Sequence, residues 1–287
     1  MTVKEYYYRN FDNLAPDKQF HFATRMKNYL GESSFDGFLR EHQPNNDLAD
    51  LLQNNDYSKV NRIELRKPYF EKYEDLYGVE ATLFRIHHLL KEYNTDTRAT
   101  FCELYGQKRL YKLVDDLLED KDAIEVLSTW AVNVICLTEE LFPRGQNVVA
   151  QLAEWALGLA NSSDPTLVVY LHTHIILCES EFYTKRITNS KNLELLKKLL
   201  AKSAEIITDT IDTISLDAAL EFLVCCKMAG VHYARLEQWI DEICREYKKD
   251  SPYLINYRRD KTPGSYYHTL DGAEHINALY IMSGLDN

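Results

Sequence analysis

Apolar residues recur at steps of three and four along almost the whole chain, and this spacing predicts α-helix from end to end. The segment DAIEVLSTWAVNVICLTEELF carries it most clearly. Ile124, Leu127, Ala131, Val134, Leu137 and Leu141 fall on one face. Asp122 and Glu125 have capping-box spacing at its start, and Pro143 and Gly145 stop it. In NVVAQLAEWALGLA the stripe is Val148, Leu152, Trp155 and Leu159, and NSSDP then breaks the helix. Asp164 reads as the next N-cap, with Pro165 at the first helical position, where its missing N–H costs nothing. Ser190 and Ser215 open further helices, and Gly230 closes one as a C′ residue. Asp271 and Glu274 repeat the capping-box spacing before HINALYIM. Upstream, helices are expected near 17–30, 47–55, 68–93 and 98–120.

The pattern therefore predicts an all-α protein of about ten to twelve antiparallel helices arranged as helical hairpins. Successive helix starts give a helix-pair spacing of roughly 43–50 residues, comparable with two-helix repeats. Such hairpins close into an α/α toroid, the arrangement preferred here, or stack as an open α-solenoid. With no Pro/Gly/Ser linker, residues 1–287 read as a single helical domain. Residues 1–60, more polar and irregular, read as an N-terminal cap, and NTDTR near 94–98 marks a softer alternative boundary.

Composition narrows this picture. Only 10 glycines and 7 prolines argue against a turn-rich β-sandwich or barrel. The net charge of −11 gives no global positive field for nucleic acid. No apolar run is long enough to span a membrane, and MTVKEYYYRNFDN has no secretion-signal core. Cys102, Cys136, Cys178, Cys225, Cys226 and Cys244 include no C-x-x-C pair, and read as reduced core thiols in a cytoplasmic protein.

Chemistry is sparser than architecture. In VVYLHTHIILCESEFYTKR, Val168, Leu171, Ile175, Cys178 and Phe182 form a core stripe. His172, Glu179 and Tyr183 flank it on one side, His174 and Glu181 on the other. The two histidines are two residues apart, so they do not chelate one ion together. Each either lines an internal pocket or is a buried histidine bonded to a neighbouring carbonyl or carboxylate. His275 is expected in the first turn of the last helix, where the dipole disfavours imidazolium. Glu274 beside it is explained by capping. Asp217 and Glu221 share a helix face one turn apart; if buried, they demand a cation, a shared proton or a histidine.

The aperiodic stretch KKDSPYLINYRRDKTPGSYYHTL is long for a loop in a compact domain. It offers Tyr257, Arg258, Arg259, Tyr267 and His268 for clamping an anionic or planar ligand. His87 and His88 are adjacent on an amphipathic helix, so one faces the core and the other the rim. In LVDDLLEDKD, Asp115, Asp116 and Glu119 form an acidic edge able to hold hydrated Mg²⁺, although such runs are ordinarily solvated faces. This edge resembles the aspartate-rich motif of class I terpene synthases; the second metal motif of that family is not matched by DTIDTISLDAALE.

Three further stretches, LHTHIILCESEFYTKR, SLDAALEFLVCCKMAGV and HTLDGAEHINALYIM, resemble successive elements of uncharacterised bacterial all-helical domains of α/α-toroid type. The matching positions are Thr173–His174, Asp217–Glu221 and Glu274–His275. The resemblance implies a toroid shared with pocket enzymes, and a fold rather than a reaction. The leading expectation is a polar pocket lined by His172 or His174, Asp217, Glu221 and His275, with the 248–270 loop as lid. There a His–carboxylate pair, with or without a divalent metal, acts on a small molecule. The rival is a non-catalytic helical-repeat module that binds a protein or peptide partner. A third reading is a Mg²⁺-dependent terpenoid-type enzyme. No nucleic-acid or membrane partner is expected.

Overall fold

The computed structural model describes residues 1–44, 47–58, 60, 62–159, 164–262 and 264–286. Among these there are sixteen α-helices and no strand. In chain order they are α1 (Val3–Arg9), α2 (Pro16–Leu30), α3 (Asp36–Glu41), α4 (Leu48–Gln53), α5 (Ile63–Lys72), α6 (Leu76–Tyr93), α7 (Arg98–Leu104) and α8 (Gln107–Glu119). Then follow α9 (Lys121–Leu127), α10 (Thr129–Leu141), α11 (Val148–Gly158), α12 (Pro165–Glu179), α13 (Leu193–Asp209), α14 (Leu216–Ala229), α15 (Ala234–Lys248) and α16 (Glu274–Ser283).

The all-α expectation holds, but the helices outnumber the ten to twelve expected. Three stretches read as continuous are broken. One parts at Gly106, whose φ of 92° no helix accommodates, and one at Ser128, a buried residue at φ 38°. The third parts after Lys72, where Tyr73 to Asp75 join α5 to α6. Two more helices, α1 and α3, have only seven and six residues, too few to display a period.

Most predicted ends are found. Asp164 accepts the Thr166 N–H at 2.9 Å, Pro165 begins α12, and Gly230 ends α14 at φ 66°. The expected break at residues 161–163 lies outside the described residues. Two caps differ. Asp120, not Asp122, caps α9 by accepting the Ala123 N–H. Glu274 does not cap α16 at all: its side chain turns inward, and Asp271 instead accepts the Ala15 N–H at 2.8 Å.

The chain divides into two compact units, Met1–His42 with Leu159–Asn287, and Gln43–Gly158. The first sixty residues are thus divided between the units, and 94–98 falls inside the second.

The first unit is built around α14. Thirteen of its fourteen residues are buried, all but Lys227, as expected of a helix apolar on every side. It packs against α12, α13, α15 and α16, and α16 in turn packs against α1 and α2. Each fully buried Leu, Val or Phe on α14 contributes roughly 1.5–3 kcal/mol. Asp217 and Glu221 share that interior and have to be satisfied there. On α2 the buried face is Phe22, Ala23 and Met26, with Phe22 stacked on Tyr7 of α1 at 5.3 Å.

In the second unit α6 packs against α10 and α4, and α10 also packs against α8, α9 and α11. Gly78 allows the approach of α4, since a Cβ there would stand 2.5 Å from the Leu52 carbonyl oxygen. Gly78→Ala is expected to lower the unfolding free energy by about 2 kcal/mol in a urea titration. An unchanged midpoint would contradict this close approach.

No helix among the described residues is long and apolar enough to cross a membrane. All six cysteines are free thiols, four of them buried.

Candidate functional site

The polar residues that interrupt the core of the first unit meet at one place. Glu221, in the middle of α14, faces α12. It contacts the Thr173 hydroxyl at short range, and His174 Nε2 lies 3.6 Å from its Oε1. The Thr173 hydroxyl is also 3.1 Å from the Tyr170 carbonyl, one helical turn back. A hydroxyl has a single hydrogen. If Thr173 donates to Tyr170, the contact with Glu221 requires a proton on the carboxyl. Burial pushes Glu221 the same way, up to about 7.

Asp217, one turn earlier, faces the loop that follows α15. It accepts from the Asn256 side-chain amide at 3.1 Å and has the Arg259 guanidinium 3.6 Å away. Burial raises its pKa, and Arg259 and Asn256 partly offset this. The two acids of α14 therefore take separate partners rather than sharing one ion.

A second pair lies where α16 meets α2. Glu274 is sealed from solvent, and both its oxygens stand 2.7–2.8 Å from His21 Nδ1. Arg25 Nη1, one turn along α2, is also 2.8 Å from that nitrogen. An arginine N–H only donates, so Nδ1 must accept from it, whereas an ionised Glu274 needs Nδ1 to donate. An ionised Glu274 therefore cannot be satisfied beside Arg25, whereas a protonated Glu274 and Arg25 can both donate to an unprotonated Nδ1. Burial, with Arg25 and Lys18 adding to it, holds His21 well below its usual 6.5. Burial pushes Glu274 up to about 7, with Arg25 and Lys18 opposing. Both shifts favour a neutral imidazole facing a carboxyl that keeps its proton. His275 completes the pair, its ring 5.6 Å from that of His21; burial, then Arg25, His21, Lys18 and Arg259, hold it neutral.

Arg25 links the two pairs. Its charge lowers both Glu221 and Glu274, and its guanidinium lies over the Tyr183 ring, 5.4 Å from the centroid. Tyr183 is delivered by an unusual turn. After α12, Glu181, Phe182 and Tyr183 take φ values of 49°, 52° and 76° in succession. Each left-handed non-glycine residue costs roughly 1–2 kcal/mol. Buried Ser180 holds the turn: its hydroxyl donates to the Leu177 carbonyl and accepts the Tyr183 N–H. Strain of this kind, with an aromatic side chain laid over a site arginine, is characteristic of functional sites.

Exposure is graded across the cluster. Glu274, Glu221 and Asp217 are sealed, whereas His21 keeps 34% of its side chain exposed and Arg259 keeps 33%. Arg25 and His275 are half-buried. A separate shallow groove of about 640 Å³, lined by Ala204, Thr208, Tyr233, Arg235 and Leu236 among others, lies between α13 and α15 and contains none of these residues.

The sequence-predicted residues thus divide. His174, Asp217, Glu221 and His275 are brought into the cluster. His172 is not: it is fully buried on the face toward α13, with Nδ1 2.8 Å from the Ser203 hydroxyl. Of Tyr257, Arg258, Arg259, Tyr267 and His268, Arg259 is the one beside Asp217, lying over Tyr267 at 4.1 Å. Arg258 donates to the Ile214 carbonyl, His268 Nε2 meets the Asp260 carbonyl, and Tyr257 packs edge-on against His268 and Tyr247. The loop therefore fastens itself to the body mainly through its own polar groups. His87 is buried and His88 half-buried, as their adjacency implies.

The acidic edge does not form a metal set. Asp115 pairs with Arg144, Asp116 with Lys112, and Glu119 is exposed. Among the described residues no three His, Cys, Asp or Glu side chains are grouped to hold a metal ion, so the residues present do not fit the divalent metal expected. His21, Arg25 and Glu274 were missed. His21 and Arg25 stand i, i+4 on α2, a spacing that signals a shared face, but nothing in the sequence marks that face as interior.

Comparison of the chain with family models, curated proteins and solved structures finds no match.

Proposed function

We propose that the first unit is an acid–base enzyme for a small molecule. Glu274 and His21 form one proton-exchanging pair, and Glu221 and His174 the second. One observation carries this reading: His21 Nδ1 lies within 2.8 Å of both sealed Glu274 and the Arg25 guanidinium, so the imidazole is held as an acceptor directly against the Glu274 proton. Two acids pushed toward neutral pH, one of them against a histidine held unprotonated, are what acid–base catalysis near pH 7 requires. His275 and Tyr183 border the reacting space, and Asp217 with Arg259 anchors the loop beside it. The buried carboxyls supply protons, and the half-open histidines accept them where a substrate can reach. No step requires a metal.

The test is to incubate the protein with the small-molecule fraction of a cell extract and follow its components by ¹H NMR. The wild type should consume or convert at least one compound, and Glu274→Gln should slow that change by about a hundredfold or more. No converted compound, or a Glu274→Gln variant as fast as the wild type, would remove the acid–base role.

A further inference from the structure

We propose that this site takes a substrate bearing a single carboxylate, held by the Arg25 guanidinium and the Tyr183 hydroxyl. The inference deepens the acid–base reading and rests on the cluster being a substrate site, but not on proton transfer by Glu274. Among the described residues Arg25 forms no ion pair, although its charge acts on Glu221 and Glu274. Its Nη1 is engaged by His21 and its face by the Tyr183 ring. Its Nε is buried without a hydrogen-bond partner, and so is the Tyr183 hydroxyl. A sealed guanidinium N–H without an acceptor is costly, and so is a buried hydroxyl without one. Neither neighbouring glutamate removes that cost, since both are biased toward their neutral forms.

An anion set against the Nε edge of Arg25, which must open to admit it, would satisfy these donors together. The edge formed by Nε and a terminal nitrogen matches the two oxygens of a carboxylate. With both glutamates biased toward their neutral forms, the single positive charge of Arg25 is balanced by one negative charge rather than two.

The experiment measures thermal stabilisation of the full chain by acetate, pyruvate and benzoate at about 10 mM, against sodium chloride and inorganic phosphate at matched ionic strength. At least one carboxylate should raise the Tm of the wild type above both controls. Arg25→Gln should weaken its binding by about tenfold or more, and Tyr183→Phe, which keeps the ring under Arg25, by about fivefold. Arg235→Gln, on the separate α13–α15 groove, should bind as the wild type does. Should Arg25→Gln prove unfolded by circular dichroism, Tyr183→Phe decides by the same measure. The proposal is overturned if no carboxylate exceeds the chloride control, if phosphate stabilises more, or if a folded Arg25→Gln or Tyr183→Phe binds undiminished. Carboxylate binding without turnover of any metabolite would remove the enzyme reading and leave this one. Turnover of a cationic or uncharged compound would do the reverse.

Discussion

Glu221→Gln is expected to stabilise the protein by about 3 kcal/mol near pH 8 and to change little near pH 5. The carboxyl of Glu221 ionises at about 7 in the folded chain, against an ordinary value of 4.5. Between those values the folded state keeps a proton that the unfolded state has released. Its contribution to stability is therefore fully present below pH 4.5, falls as pH rises through 7, and stays lost above. Glutamine imitates the protonated acid, its amide N–H donating to the Thr173 hydroxyl in place of the carboxyl proton, so the variant escapes the loss. The groups facing this side chain are Thr173, His174, Asp217, Tyr170, Tyr183, Cys225 and Arg25. His21 and His275 act in the opposite sense: their folded pKa values lie well below 6.5, so stability is lost as pH falls beneath that value. Both are present in the wild type and the variant, so they cancel in the difference. Urea unfolding of the two proteins at each pH measures it. Equal stability near pH 8, or a less stable variant, would mean that Glu221 is an ordinary ionised carboxylate.

Gly272→Ala is expected to cost about 3 kcal/mol and to disturb the site as well as the fold. A Cβ at this position would collide with the backbone carbonyl of Tyr266, which has little freedom to move. The surrounding turn is fixed at several points. Tyr7 donates to the Leu270 carbonyl at 3.0 Å, Tyr253 to the His268 carbonyl at 2.8 Å, and Asp271 accepts the Ala15 N–H. Glu274 and His275 begin α16 directly after this turn, so a shifted turn moves both away from His21. Gly158→Ala, where the added carbon meets open space, should stay within a few tenths of a kcal/mol of the wild type. Similar costs for the two variants would contradict the packing described for the turn.

The helical architecture was legible because most helices bury one stripe, and a stripe leaves a period. Asp164–Pro165 and Gly230 carried their ends for reasons of local geometry. The break at Ser128 was not legible: a buried serine at φ 38° carries no glycine or proline to announce it. The same holds for Glu181 to Tyr183, three consecutive left-handed residues without a glycine. In the site, Asp217, Glu221 and His174 stood out because they interrupt apolar runs, and an acid within such a run has to be satisfied where it lies. His21 and Arg25 stood out less, since polar residues on an amphipathic helix ordinarily face water. Glu274 was obscured by Asp271, whose spacing imitates a capping box. Its contact with His21 spans 253 positions in the chain, beyond the reach of any local pattern.

The claim that these groups form one electrostatically linked site is tested most directly by a ¹³C NMR titration of the Glu274 carboxyl in the wild type and in Arg25→Gln. The account predicts a midpoint near 7 in the wild type and a higher one in the variant, because burial raises it and Arg25 opposes. A midpoint at the ordinary 4.5, unmoved by the loss of Arg25, would contradict it.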